Sequence, residues 1–167
     1  PTPREVTING GIYGAFRDAS PDYWGRLVIA AEAKVPPEAL SEIEFLVAAN
    51  ATRAGNLDFR LSPDDPEPGH QPPHFSQLAE IIEAAVKIEM GEEAEDHLLM
   101  LLKQGSSMGG ARPKCTVEWN DALWIAKFSA KDDTLNIPRI EYATMTLASL
   151  CGINVPESHI ISIGDND

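Results

Sequence analysis

The chain has little positive charge, few aromatic residues, almost no cysteine and no long apolar run. Its 13 lysines and arginines face 26 aspartates and glutamates, giving a net charge of −13 over 167 residues. Tight nucleic-acid binding works by cations displacing counterions from phosphates, so a chain this acidic is not expected to hold DNA or RNA directly. Most of the excess, −10, falls in residues 1–103. No stretch approaches the ~18 apolar residues of a membrane-spanning helix. The opening Pro1-Thr2-Pro3-Arg4 also lacks the apolar segment of a secretory leader. No membrane association and a cytoplasmic location are the expectations. The missing initiator methionine points to a natural start upstream. Cys115 and Cys151, the two cysteines, lie in apolar strand-like and helix-like contexts and read as reduced, buried thiols rather than a redox pair. His70 and His74 are four apart, but they lie in or beside a proline-rich stretch with no nearby cysteine and no helix to fix them. No metal site is expected there.

What is present is an ordinary globular balance, 43% hydrophobic and 23% charged, in a chain long enough for one sizeable core or two small ones. Glu5–Ile8 and Ile12–Phe16, joined by Asn9-Gly10-Gly11, read as a hairpin, because that turn favours positive φ. Ser20-Pro21-Asp22 is a helix start, with a capping oxygen, a preset φ and a charge that suits the helix dipole; the helix should run to about Lys34. Gly25 lies inside it at a cost of about 1 kcal/mol relative to alanine, which implies close packing or a special need around Trp24-Gly25-Arg26. Ser41-Glu42-Ile43-Glu44 is a capping box, and Leu57–Leu61 alternates as a half-exposed strand does. Residues 62–73 hold five prolines and read as a surface loop. Phe75–Met90 is the clearest amphipathic helix, closed by Gly91, and Ala94–Lys103 is a shorter one closed by Gly105. Asn136, Pro138 and Gly152 bound a third long helix, with Ile140, Ala143, Thr144, Leu147 and Leu150 on its apolar face and Glu141 and Met145 on another. Ser158–Ile163 reads as a last strand.

The stretch from Gly105 to Glu141 carries the chemistry. A side-chain-poor turn, Gly105-Ser106-Ser107-Met108-Gly109-Gly110-Ala111-Arg112-Pro113-Lys114, leads into a strand, a polar turn at Asn120-Asp121, and a second strand, Leu123-Trp124-Ile125-Ala126-Lys127-Phe128. A helix bearing Glu141 follows. This order meets the requirements for gripping ATP phosphates: a turn whose backbone amides can approach anionic oxygens, a lysine as compact cation, and a helix glutamate to hold the lysine.

Together these motifs resemble the HipA-family serine/threonine kinases, toxins of bacterial type II toxin–antitoxin pairs. Ser20-Pro21-Asp22-Tyr23-Trp24-Gly25-Arg26 is similar to the family's Pro-Asp-x-Trp-Gly-Arg signature, and Arg53-Ala54-Gly55-Asn56-Leu57 to its Arg-x-Gly-Ala-Leu segment, with Asn56 a departure. Ser106 to Lys114 is similar to its Ser-x-x-Gly-Ala-x-x-Lys loop, Ile125-Ala126-Lys127-Phe128 to its lysine strand, and Arg139-Ile140-Glu141-Tyr142 to the start of its next helix. The resemblance implies an α+β fold: a mostly helical N-terminal region over 1–103, then a truncated kinase-like lobe over 104–167 with an antiparallel sheet and one long helix. It implies ATP, with magnesium, as cofactor. Lys127 would contact the phosphates and Glu141 would orient it. Ser107, Met108, Gly109, Gly110 and Ala111 would lie over the phosphates, with Lys114 a second contact. Ser107, or failing it Ser106, would be a regulatory autophosphorylation site. The implied partners are a HipB-like helix-turn-helix antitoxin and a protein substrate from the translation machinery.

The family's catalytic aspartate, nearby asparagine and metal-binding aspartate have no counterpart, since no Asp here has a His-x-Asp-x-x-x-x-Asn context. The chain is therefore expected to be a fragment without kinase turnover of its own, with surface exposed for dimerisation. A non-catalytic interaction module that docks an antitoxin or another protein is the alternative.

Overall fold

Most helix boundaries follow the capping signals. The computed structural model describes residues 13–49, 53, 56–66, 71–105 and 110–164. Helix α1 is short, Gly14–Ala19, and α2, Tyr23–Ala33, does not begin on a Ser20 cap with Pro21 in its first turn. Asp22 is its N-cap and makes no side-chain capping bond, while the Ser20 hydroxyl donates to Glu42 at 3.1 Å. The helix stops where Lys34 turns left-handed at φ 55°. In α3, Glu42–Ala48, Ser41 and Glu44 cap each other: the Glu44 N–H donates to the Ser41 hydroxyl at 3.4 Å, and the Ser41 N–H to the Glu44 carboxylate at 2.7 Å. A single 3₁₀ turn, Phe75–Gln77, leads into α4, Leu78–Met90, which ends at Gly91 with φ 72°. Helix α5 is Asp96–Gly105. Strands β1, Lys114–Trp119, and β2, Ala122–Lys127, form an antiparallel hairpin whose turn residues Asn120 and Asp121 take φ 52° and 56°, the pair of positive angles that matches strand twist. Helix α6, Ile137–Leu150, is capped by the Asn136 side chain, which accepts from the Arg139 N–H at 2.9 Å. The fold is α+β.

Three expected strands are not formed. The Glu5–Ile8 strand and its turn lie outside the described residues, and the stretch expected as its partner is instead helical over Gly14–Ala19. There the N–H groups of Phe16 and Arg17 both reach the Tyr13 carbonyl at 3.0 Å, so the backbone is satisfied locally rather than by a ladder. Leu57–Leu61 also stays irregular: Asp58 bonds the Phe59 N–H and the Arg60 guanidinium, and Leu57 and Leu61 face solvent. The Ser158–Ile163 segment adds no strand to the hairpin, and among the described residues the sheet has two strands.

One core joins the helices to the hairpin. Trp24 and Val28 of α2, Ile81, Ala85 and Ile88 of α4, and Leu98 and Leu102 of α5 pack with Cys115 and Val117 of β1 and with Phe128 just past β2. Burying each large side chain contributes roughly 1.5–3 kcal/mol. The proline-rich stretch is not free surface at its end. Pro73 is buried, its carbonyl accepts from the Glu118 N–H at 2.8 Å, and His74 bridges in parallel to β1. Helix α6 has no buried residue. Its apolar face is uncovered, with Ile140, Leu147 and Leu150 exposed, while Glu141, Met145 and Ala148 are half-buried. The helix is thus seated on the face that carries Glu141. Among the described residues no helix is long and apolar enough to cross a membrane.

Candidate functional site

The register of the hairpin sets the site. Lys114 pairs directly with Lys127 across the ladder, at the end away from the turn. Directly opposed residues in an antiparallel pair point to the same face and approach closely, and like charges there are unfavourable. Alternation sends Cys115 and Val117 into the helical core and leaves both lysines on the opposite face.

Carboxylates flank the two ammonium groups. Glu141, in the first turns of α6, forms an ion pair with Lys127, whose side chain remains 43% exposed. The loop between β2 and α6 fixes this approach. Arg112 donates to both carboxylate oxygens of Asp133 at 2.6 Å, and the Lys131 ammonium donates to the Glu89 carbonyl at 2.6 Å. Asp133 is held below the usual carboxylate range, first by the Arg112 bond and then by the Ala130 N–H. Burial pushes the Glu89 carboxyl up, against the pull of Lys131.

Lys114 is the unusual cation. Burial lowers its pKa and the neighbouring Lys127 charge lowers it further, while Asp22 and Glu141 act in the opposite sense. Its ammonium lies under Gly110, at φ 117°, so closely that a Cβ at Gly110 would collide with it. A side chain at that φ is strained in any case.

A cavity of about 380 Å³ opens between β2, α6 and residues 156–163, and Lys127 and Glu141 form part of its wall. Elsewhere its lining is largely apolar, including Trp124, Tyr142 and Met145. Trp119 packs at 5.2 Å from Phe75 and from Trp124, and at 5.3 Å from His159.

The structure brings together Lys127, Glu141, Lys114 and Gly110. Ala111 is exposed beside them. Ser106, Ser107, Met108 and Gly109 lie outside the described residues. Gly110 differs from its expected part as an amide donor to phosphate, because its N–H already donates to the Asp22 carboxylate at 2.5 Å. The sequence marked residues 20–26 as a helix start, a site of close packing or special need and a family-like signature, but the particular bonds from Asp22 and Trp24 to the 110–114 segment left no trace in it. Arg26 serves the helical part: its guanidinium grips Glu42 at 2.5 and 2.6 Å and lies 4.6 Å over the Phe45 ring.

The lysine pair fits an anion with several charged oxygens, since such a ligand would relieve the repulsion between the two ammonium groups. Among the described residues no group of three His, Cys, Asp or Glu side chains is placed to hold a metal ion.

Residues 106–167 match the family model of the HipA-like C-terminal domain. The match takes in the glycine-rich turn, both strands, α6 and the segment that follows, and it supports a relation to the HipA family. The likenesses at residues 20–26 and 53–57 fall outside it. No curated protein and no solved structure matches the chain.

Proposed function

We propose that residues 106–167, braced by α2, form the ATP-phosphate-binding part of a HipA-like serine/threonine kinase. The observation that carries this reading is the direct opposition of Lys114 and Lys127, one partly desolvated and the other held by Glu141. A lysine placed by a helix glutamate, next to a glycine turn, is the arrangement by which kinases hold the phosphates of ATP. Lys127 supplies a point charge to the phosphates, Glu141 fixes its direction, and Lys114 adds a second charge from β1. When bound, ATP would bring the transferable phosphoryl group and its magnesium. A protein substrate from the translation machinery, a helix-turn-helix antitoxin as partner, Ser107 or Ser106 as a regulatory phosphosite and a cytoplasmic location belong to the same proposal.

An acyl-phosphate derivative of ATP tests it, because such a reagent acylates lysines that lie against the bound phosphates. Peptide mapping is expected to find Lys127 and Lys114 labelled, excess ATP to block the labelling, and AMP to leave it in place. Lys127→Ala should abolish the ATP-protected signal without unfolding the chain. Labelling spread evenly over Lys34, Lys87, Lys103 and Lys131 would refute the reading.

A second reading rests on α6, whose Ile140, Leu147 and Leu150 are uncovered although they form an apolar stripe. A non-catalytic module that docks an antitoxin or other protein through this helix would account for it. Loss of ATP-protected labelling, together with partner binding that fails in Leu147→Asp, would favour it.

A further inference from the structure

We infer that Asp22 and Trp24 are positioning residues of the phosphate site. They clamp both ends of the Gly110–Lys114 segment to the first turn of α2 and so hold the Lys114 ammonium opposite Lys127. The inference rests on the nucleotide reading above and deepens it.

The geometry is unusual at Asp22. It occupies the N-cap of α2, where an aspartate ordinarily accepts a bond from its own helix, yet its side chain makes no such bond. The carboxylate instead accepts the N–H of Gly110, 88 residues away, at 2.5 Å. Trp24 holds the same segment at two points. Its backbone N–H reaches the Gly110 carbonyl at 3.4 Å, and its indole N–H donates to the Lys114 carbonyl at 2.9 Å. The indole is 1% exposed and wedged in the core, so the anchor is rigid. At the first of the two fixed ends, Gly110 takes a φ that favours glycine, and the Lys114 side chain passes beneath it. Asp22 also favours the charged form of Lys114 against the effects of burial and Lys127. One aspartate therefore fixes both the path of the segment and part of the charge state of its lysine.

A carboxylate beside a phosphate site would otherwise repel the ligand, which separates positioning from competition. Asp22→Ala removes the anchor. Asp22→Asn keeps an oxygen acceptor and removes the charge. With the acyl-phosphate ATP probe, Asp22→Ala is expected to raise the ATP concentration needed for half-protection about tenfold, the effect of losing one charge-assisted hydrogen bond. It should also lower labelling at Lys114 relative to Lys127. Asp22→Asn should recover half-protection to within about twofold of the parent. Trp24→Phe, which keeps the ring and removes the indole N–H, should shift the same ratio in the direction of Asp22→Ala. Hydrogen exchange of the 110–114 amides should quicken in Asp22→Ala and Trp24→Phe while the α4 amides remain protected.

Half-protection in Asp22→Ala equal to or tighter than in the parent overturns the inference; the tighter result would make Asp22 a competitor of the ligand. Unchanged exchange at 110–114 in Asp22→Ala overturns it independently of any nucleotide. If the parent shows no ATP protection while exchange at 110–114 quickens as expected, the phosphate reading fails and the anchor stands as a purely structural clamp.

Discussion

Replacing Lys114 by methionine should make the folded chain slightly more stable and a much poorer phosphate binder. The stem of the side chain is conserved, so packing beneath Gly110 changes little. What is removed is an ammonium that the folded state disfavours: its pKa lies below the ordinary 10.5, because of burial first and Lys127 second. A lysine with a depressed folded pKa withholds stability below that pKa and returns it as pH rises, so at neutral pH the charged form is a net burden. For two like charges an illustrative ~6 Å apart, Coulomb's law gives ~0.7 kcal/mol in bulk water and ~3 kcal/mol at an effective dielectric of 20. The Lys127 side chain is 43% exposed and already paired with Glu141, and Asp22 offsets part of the repulsion, so the lower figure governs. The expected gain is below about 1 kcal/mol, a rise in melting temperature of about 1–4 °C for a chain of this size. The same substitution deletes a charge-assisted contact to phosphate worth ~1.5–3 kcal/mol, or roughly a tenfold to hundredfold loss of ATP protection. Thermal unfolding followed by circular dichroism, alongside probe labelling at Lys127, reads both quantities. A destabilised Lys114→Met that still protects Lys127 from the probe at parental ATP concentrations would show that Lys114 is a structural lysine, and the phosphate argument would lose its main support.

Two further outcomes follow from titration and burial. A polyphosphate favours the charged form of Lys114, so binding raises a pKa that folding had lowered; protons should be taken up on binding, and affinity should fall as pH climbs toward the depressed pKa from below. Calorimetry in two alkaline buffers of different ionisation enthalpy measures that uptake, and equal observed heats in the two buffers would refute it. Cys115 is fully buried, with its thiol pushed up to about 12, whereas Cys151 is exposed. Iodoacetamide under native conditions should therefore modify Cys151 and spare Cys115 until the chain is unfolded; early labelling of Cys115 would mean that the joint core between hairpin and helices is misplaced.

Local chemistry was legible wherever one or two residues decide the backbone. Ser41 and Glu44 cap α3, Asn120-Asp121 closes the hairpin, Gly91 ends α4, and Asn136 starts α6, each as the sequence predicts. The strands at 57–61 and 158–163 were not, because alternation is only half of a strand and the other half is a partner with free backbone groups. Helix α6 shows a similar limit. Its period gave the helix and its apolar face, but the Ile140 stripe is exposed, and the helix meets the hairpin with the side that bears Glu141. Lys127 and Glu141 were found from their order along the chain. The opposition of Lys114 to Lys127 depends on register, and the bond from Asp22 to Gly110 spans 88 residues; neither leaves a periodic trace.

The acidity of the chain sharpens what the lysine pair must do. A net charge of −13 repels a polyphosphate at long range, although salt at physiological strength screens that repulsion beyond about 8 Å. Elsewhere cations are committed to particular carboxylates: Arg26 to Glu42, Lys87 to Glu83 and Glu95, Lys103 to Glu32, Arg112 to Asp133. Each lowers the local field to near neutral. At the open end of the hairpin Lys127 is likewise paired, with Glu141, but a second ammonium, that of Lys114, lies beside it and is partly withdrawn from water. On the proposed reading a bound polyphosphate would offset the repulsion between the two. The attraction is short in range and strong where water is excluded. A site built this way discriminates by charge density and geometry rather than by steering, so raising the salt concentration should weaken ATP protection far less than it would on a basic surface.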